Sequence, residues 1–248
     1  ERADNQVYLT VALKIIVFLA GMLLFTAIFS ALLLLVSKLF FGTADFGMLN
    51  AFLIEFAMLS GVSLSAWLIL RYWEHLPFSG LGLSSVRGRM PDIMSGILVA
   101  VVLYAIGFGI LYASGEIRVA SVHFNAESLL LSFLFMLLVA FAEELCVRGF
   151  VLGHLLDAGL NRYMALALSA FLFSLMHLFN PNFSFLPFLN IFIAGLLLGS
   201  TYIYTRNLCF PIALHLFWNW LQGPVLGFDV SGGEFGSSLL TLAFPADT

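Results

Sequence analysis

The chain has 248 residues, of which 62% are hydrophobic and 10% charged, with a formal net charge of −4 and a mean hydropathy of +1.06. Soluble domains carry about 25% charged residues, so this composition excludes a soluble globular protein and points to a membrane protein. The lipid bilayer is an expected partner, and nucleic acid is not.

The first uncharged stretch, Ile15–Ser37, is long enough to cross a hydrocarbon core of about 30 Å at about 1.5 Å per helical residue. It exceeds a signal-peptide core of roughly 7–15 residues, and no small-x-small site follows it, so it reads as a retained first span. Further spans are expected at Met48–Leu70, Asp92–Ala113, Ser128–Leu156, Tyr163–Phe179, Phe188–Tyr204 and Pro211–Leu226. The apolar tail Ser237–Phe244 is too short to cross, which raises the expectation of an eighth span cut short. Arg71–Pro91 is the sizeable polar connection, and no linker, repeat or low-complexity tract interrupts the chain. The expected fold is therefore all-α: a polytopic transmembrane helical bundle of about seven to eight spans with a polar intramembrane cavity, in a single membrane domain over 1–248.

With the amino terminus in the cytosol, Arg2, Lys14, Arg71, Arg87, Arg89, Arg162 and Arg206 face inward, against Lys38 and Arg118 outside. The positive-inside rule favours that orientation, which places the acidic segment Asp229–Glu234 outside. The short loops suit a multi-pass protein of a prokaryotic cytoplasmic membrane. Cys146 and Cys209 read as small packing residues, with no disulfide framework or metal-type spacing.

The fourth span is broken by Ala142–Gly149, AEELCVRG. A charge at the centre of a span costs at least about 2.5–3.5 kcal/mol, so such groups face a protein interior or a cavity. Glu144 and Arg148 stand at i and i+4 on one helix face and can neutralise each other. Glu143 is rotated about 100° away and needs a different partner. In the next span, FLFSLMH puts Phe173 and His177 at i and i+4. Gly159 can end the fourth helix, and Glu143 and His177 lie equally far from position 160, so an antiparallel hairpin brings them to one depth. The seventh span, PIALHLFWNW, carries His215 and Asn219 at i and i+4, with Pro211 suited to the first turn. Straight-helix counting puts Glu143 and His177 deeper than His215, a difference that a long fourth helix protruding into the cytosol removes.

Glu143, His177, His215 and Asn219 on three spans suit hydrolysis of an acyl compound such as a peptide bond. A carboxylate opposed to an imidazole can hold a water and take its proton, which is worth roughly 10²–10⁴-fold. An imidazole N–H and an amide N–H one turn apart can donate to a developing oxyanion, and losing one such donor costs about 10²–10³ in rate. The duller readings are packing histidines, an interhelical Asn219 and a structural Glu144–Arg148 pair. Glu55, the lone charge in NAFLIEFAM, is a partner either for the site or for another group. Gly195-x-x-x-Gly199 reads as a close helix contact. Cys146 is disfavoured as a nucleophile, since apolar surroundings raise a thiol's pKa.

EELCVR, FSLMH and HLFWN resemble the EExxxR, FxxxH and HxxxN motifs of the CPBP family of intramembrane proteases, which includes the CAAX prenyl endopeptidases of the Ras-converting type. All three occur in order, in a motif-bearing core of about 127–226. The resemblance implies an all-helical intramembrane protease whose active cavity opens toward the cytosol. It implies that Glu143 and His177 activate water and that His215 and Asn219 form the oxyanion site, with Glu144, Arg148 and Phe173 supporting them. The expected substrate is a lipidated or membrane-embedded peptide, cleaved without a required cofactor. The alternatives are a zinc-dependent version using Glu143, His177 and His215 as ligands, a non-enzymatic peptide-binding or bacteriocin-immunity-type protein, and a proton-coupled transporter. Against the transporter, the sequence shows no repeated half with matched broken helices.

Overall fold

The computed structural model describes residues 2–42, 48–83, 87–230 and 237–245. Among them, five helices are long and apolar enough to cross a membrane: Gln6–Phe40, Leu49–Glu74, Met90–Ala113, Ala126–Asp157 and Phe185–Thr205. This is the architecture of an integral membrane protein. The two remaining expected spans are shorter helices, Arg162–Met176 and Cys209–Trp220, the latter prolonged by a π-helical run over Leu221–Val225.

We label the helices α1 (Arg2–Phe41), α2 (Met48–Leu68), α3 (Met90–Ala113), α4 (Ala126–Glu144), α5 (Gly153–Asp157), α6 (Arg162–Met176), α7 (Phe185–Gly199), α8 (Tyr202–Thr205) and α9 (Cys209–Trp220). Between α4 and α5 the helix runs through a π-helical segment, Leu145–Leu152. The all-α expectation holds apart from one two-stranded antiparallel ribbon, β1 (Arg118–Val122) with β2 (Leu240–Ala243). The apolar tail is thus partly a strand, because a short apolar run has the same composition in a paired strand as in a fragment of a span. Of the expected outer segment Asp229–Glu234, residues 231–234 lie outside the described residues, as do 84–86 of the Arg71–Pro91 connection.

The chain forms two compact units, each assembled from three separate segments. The first comprises Glu1–Ser84, Phe141–Ser169 and Gly199–Leu208; the second comprises Ser85–Ala140, Ala170–Leu198 and Cys209–Thr248.

In the first unit, α1 and α2 lie against each other through small residues. A Cβ on Gly61 would come within 2.3 Å of Thr26 Oγ1 and 2.9 Å of the Met22 carbonyl oxygen, and one on Gly21 within 2.6 Å of Ser65 Oγ. Between apolar helices in lipid, such close approach supplies the van der Waals contact that water would otherwise drive. Ser65 donates to the Phe18 carbonyl at 2.8 Å. Phe18 stacks on Phe150 at 3.9 Å between centroids, and Phe150 on His154 at 4.1 Å, tying α1 to the π-helical segment. Gly159, at φ 78, ends α5: Leu160 N–H reaches the Leu155 carbonyl and Gly159 N–H that of Leu156, the paired bonds of a Schellman end. Asn161 then opens α6, its Oδ1 accepting the N–H of Tyr163 at 3.0 Å.

In the second unit, α3 packs on α9 where Gly96 meets the Phe210 carbonyl; a Cβ there would stand 2.7 Å from that oxygen. Met136, Ala140 and Leu216 form a buried cluster bordered by Phe133, Phe217 and Trp220. Trp220 Nε1–H donates to the Leu129 carbonyl at 3.1 Å, satisfying the indole inside an apolar setting. The expected close packing at Gly195 is present: a Cβ would meet Ala170 Cβ at 2.9 Å.

Candidate active site

Glu143 and Glu144 are the penultimate and last residues of α4, immediately before the π-helical turn. A π turn adds a residue to each turn and is found often at functional sites. Every residue from Leu145 to Leu152 is buried, so the carboxylates open a segment with no solvent-facing side. The pair expected from the i, i+4 spacing is formed. Arg148 Nη1 lies 2.7 Å from Glu144 Oε1, and both side chains have zero exposure. Gly199 of the same unit leaves room beside this pair, its Cα facing Leu166, Leu152 and, at 3.9 Å from an ideal Cβ, Arg148 Nε.

Glu143 is only half-buried. The same carboxylate interacts electrostatically with Glu55 of α2, whose Oε2 is buried without a hydrogen-bond partner among the described residues. Glu55 and Glu143 are thus neighbouring like charges within the first unit. Cys146 is fully buried against Met22, Sγ to Sδ 3.6 Å, in keeping with a packing role.

His177, His215, Asn219 and Phe173 all belong to the second unit and line one cavity of about 820 Å³. The sequence placed His177 inside a helical span; the structure ends α6 at Met176 and sets His177 on the following turn. The FxxxH spacing still acts. His177 Nδ1 is 2.8 Å from the Phe173 carbonyl oxygen, and a carbonyl can only accept, so Nδ1 carries the hydrogen. In the neutral ring, Nε2 is then the atom with the free lone pair. The Phe173 ring stands edge-on to both imidazoles, with centroids 4.8 Å from His177 and 5.9 Å from His215. One aromatic side chain thus contacts both histidines, one on the turn after α6 and one on α9. His215 is buried and Asn219, one turn on along α9, is half-buried; both line the cavity from one face of α9.

Other cavity residues were not singled out in the sequence. Tyr104 of α3 donates its hydroxyl hydrogen to Gln222 Oε1 at 2.6 Å and meets Trp218 edge-on at 5.1 Å. Gln222 Nε2 donates in turn to the Asp229 carbonyl. Asn190, the single polar side chain of α7, faces the same space. Its signal in the sequence was an amide alone in FLPFLNIFIAG. Among the described residues, no group of three or more His, Cys, Asp or Glu side chains is arranged to hold a metal ion.

No curated protein and no solved structure matches the chain. Residues 125–221, the stretch that carries all three motifs, match the family described as type II CAAX prenyl endopeptidase, Rce1-like.

Proposed function

We propose that this protein is an intramembrane endopeptidase that hydrolyses a peptide bond in a membrane-associated, CAAX-type substrate with a water activated by Glu143 and His177. The family match supports a peptidase. The observation that carries the reading is the gathering of His177, His215 and Asn219 on one cavity, with His177 fixed through Nδ1.

In this scheme the Glu143 carboxylate takes a proton from water while His177 Nε2 accepts the water's second hydrogen bond. The nascent hydroxide attacks the carbonyl carbon. His215 N–H and the Asn219 amide donate to the oxygen as it gains charge, and Glu143 returns its proton to the departing amine nitrogen. Glu144 and Arg148 hold the helix end that presents Glu143. We take the whole chain as one membrane domain, with its amino terminus in the cytosol of a prokaryotic cell and cleavage near the cytosolic face.

The test is to incubate the purified protein in liposomes with a farnesylated CAAX peptide and its unmodified counterpart, and to identify products by mass spectrometry. Release of an intact carboxyl-terminal fragment supports the reading; no cleavage of either peptide by folded protein refutes it. Glutamate-type chemistry predicts unchanged turnover after chelation with verified metal removal, and loss of turnover restored by zinc would replace it with the metallo scheme. For orientation, a membrane-impermeant maleimide applied to intact cells should label Glu116→Cys and spare Gly80→Cys; the reverse pattern would invert the topology.

A further inference from the structure

Asn190 lies in the middle of α7, whose sequence is otherwise apolar, FLPFLNIFIAGLLLG. A carboxamide in such a helix is costly in a membrane unless its hydrogen bonds are used. Interhelical bonding is the ordinary use, yet among the described residues the Asn190 side chain makes no hydrogen bond to the protein; it is exposed and borders the cavity shared by His177, His215 and Asn219. Gln222 provides the contrast on the same cavity. Its carbonyl oxygen is taken by Tyr104 and its N–H by the Asp229 carbonyl, so that amide is spent within the fold. Of the described amide side chains on this cavity, Asn190 and Asn219 make no hydrogen bond within the fold.

A carboxamide carries an acceptor and two donors, which match the N–H and C=O of an extended peptide main chain. A hydrocarbon chain offers neither, so an unspent amide beside the reactive groups fits the peptide portion of a ligand. We infer that Asn190 is a substrate-positioning residue that hydrogen-bonds the main chain of the peptide close to the bond that is cut. The inference rests on the peptidase reading above. Asn190 does not touch the reacting atoms in this assignment; it sets the register of the chain that His215 and Asn219 then engage.

The experiment uses the full chain in liposomes with a fluorogenic farnesylated CAAX peptide and a set of analogues, each with one main-chain amide near the scissile bond replaced by an ester. Asn190→Leu is expected to raise KM about tenfold, the worth of one hydrogen bond, with kcat changed by less than about threefold. One ester analogue should raise KM by a similar factor in the unaltered protein and by no further factor in Asn190→Leu, since the two changes remove the same bond. Ester penalties of equal size in both proteins at every position would overturn the assignment while leaving the peptidase reading intact. Failure of the unaltered protein to cleave any peptide in the set would sink both. Asn190→Ala provides the same comparison if the leucine variant does not fold, and an unaltered KM in the folded alanine variant also overturns the assignment.

Discussion

Removing either partner of the Glu144–Arg148 pair should destabilise the protein, and by unequal amounts. The two groups meet at 2.7 Å with zero exposure, so the small values typical of solvated surface pairs do not apply. Breaking a buried pair by deleting one partner costs about 3–5 kcal/mol, chiefly because the other charge is left in an apolar setting. The partners differ in how they escape. In Arg148→Met the buried Glu144 carboxylate can take up a proton, whereas in Glu144→Leu the buried guanidinium stays charged. Glu144→Leu should therefore lie near the upper end of that range and Arg148→Met near or below the lower end. The double variant removes both charges and should recover most of the loss. Reversible unfolding in mixed micelles measures all three. Single variants within about 1 kcal/mol of the parent protein, or an arginine deletion worse than the glutamate deletion, would refute the idea of a mutually neutralising pair.

Gly61→Ala should destabilise by about 1–3 kcal/mol, because the added Cβ meets the Met22 carbonyl and Thr26 at distances that only a shift of α1 can relieve; thermal unfolding in detergent reads this, and an unchanged midpoint would mean that α1 and α2 are not held this closely. Asn219→Ala should lower kcat about 10²–10³-fold with little change in KM if its amide donates to the oxyanion. A selective rise in KM would instead make Asn219 a ground-state binding group.

The long spans were legible because apolar runs in lipid have few alternatives to a helix. Local spacing was equally informative. Gly159 ends its helix by the expected left-handed turn, and the i, i+4 relations of Glu144 with Arg148, and of His215 with Asn219, put each pair on one face. The π-helical run after Glu144 was not legible. Leu145–Leu152 is buried all round, so its apolar pattern carries no period that distinguishes 3.6 residues per turn from a wider turn. The position of His177 beyond the end of α6 was hidden for a related reason, since LMHLF is as apolar in a turn as in a helix. Strand β2 escaped because its partner lies far away in sequence. Tyr104, Gln222 and Asn190 belong to no motif or spacing that singles them out in the sequence, and only the cavity shared by α3, α7 and α9 reveals what they surround.

The central claim is that adjacent glutamates divide the work, with Glu143 acting on water and Glu144 holding Arg148. The direct measurement is single-turnover cleavage of the farnesylated CAAX peptide by Glu143→Gln and Glu144→Gln, with folding checked by thermal unfolding. The account predicts that Glu143→Gln keeps the stability of the parent protein and loses at least about 10²-fold in the cleavage rate. Glu144→Gln should lose stability first. Cleavage by folded Glu143→Gln at the parent rate would contradict the account.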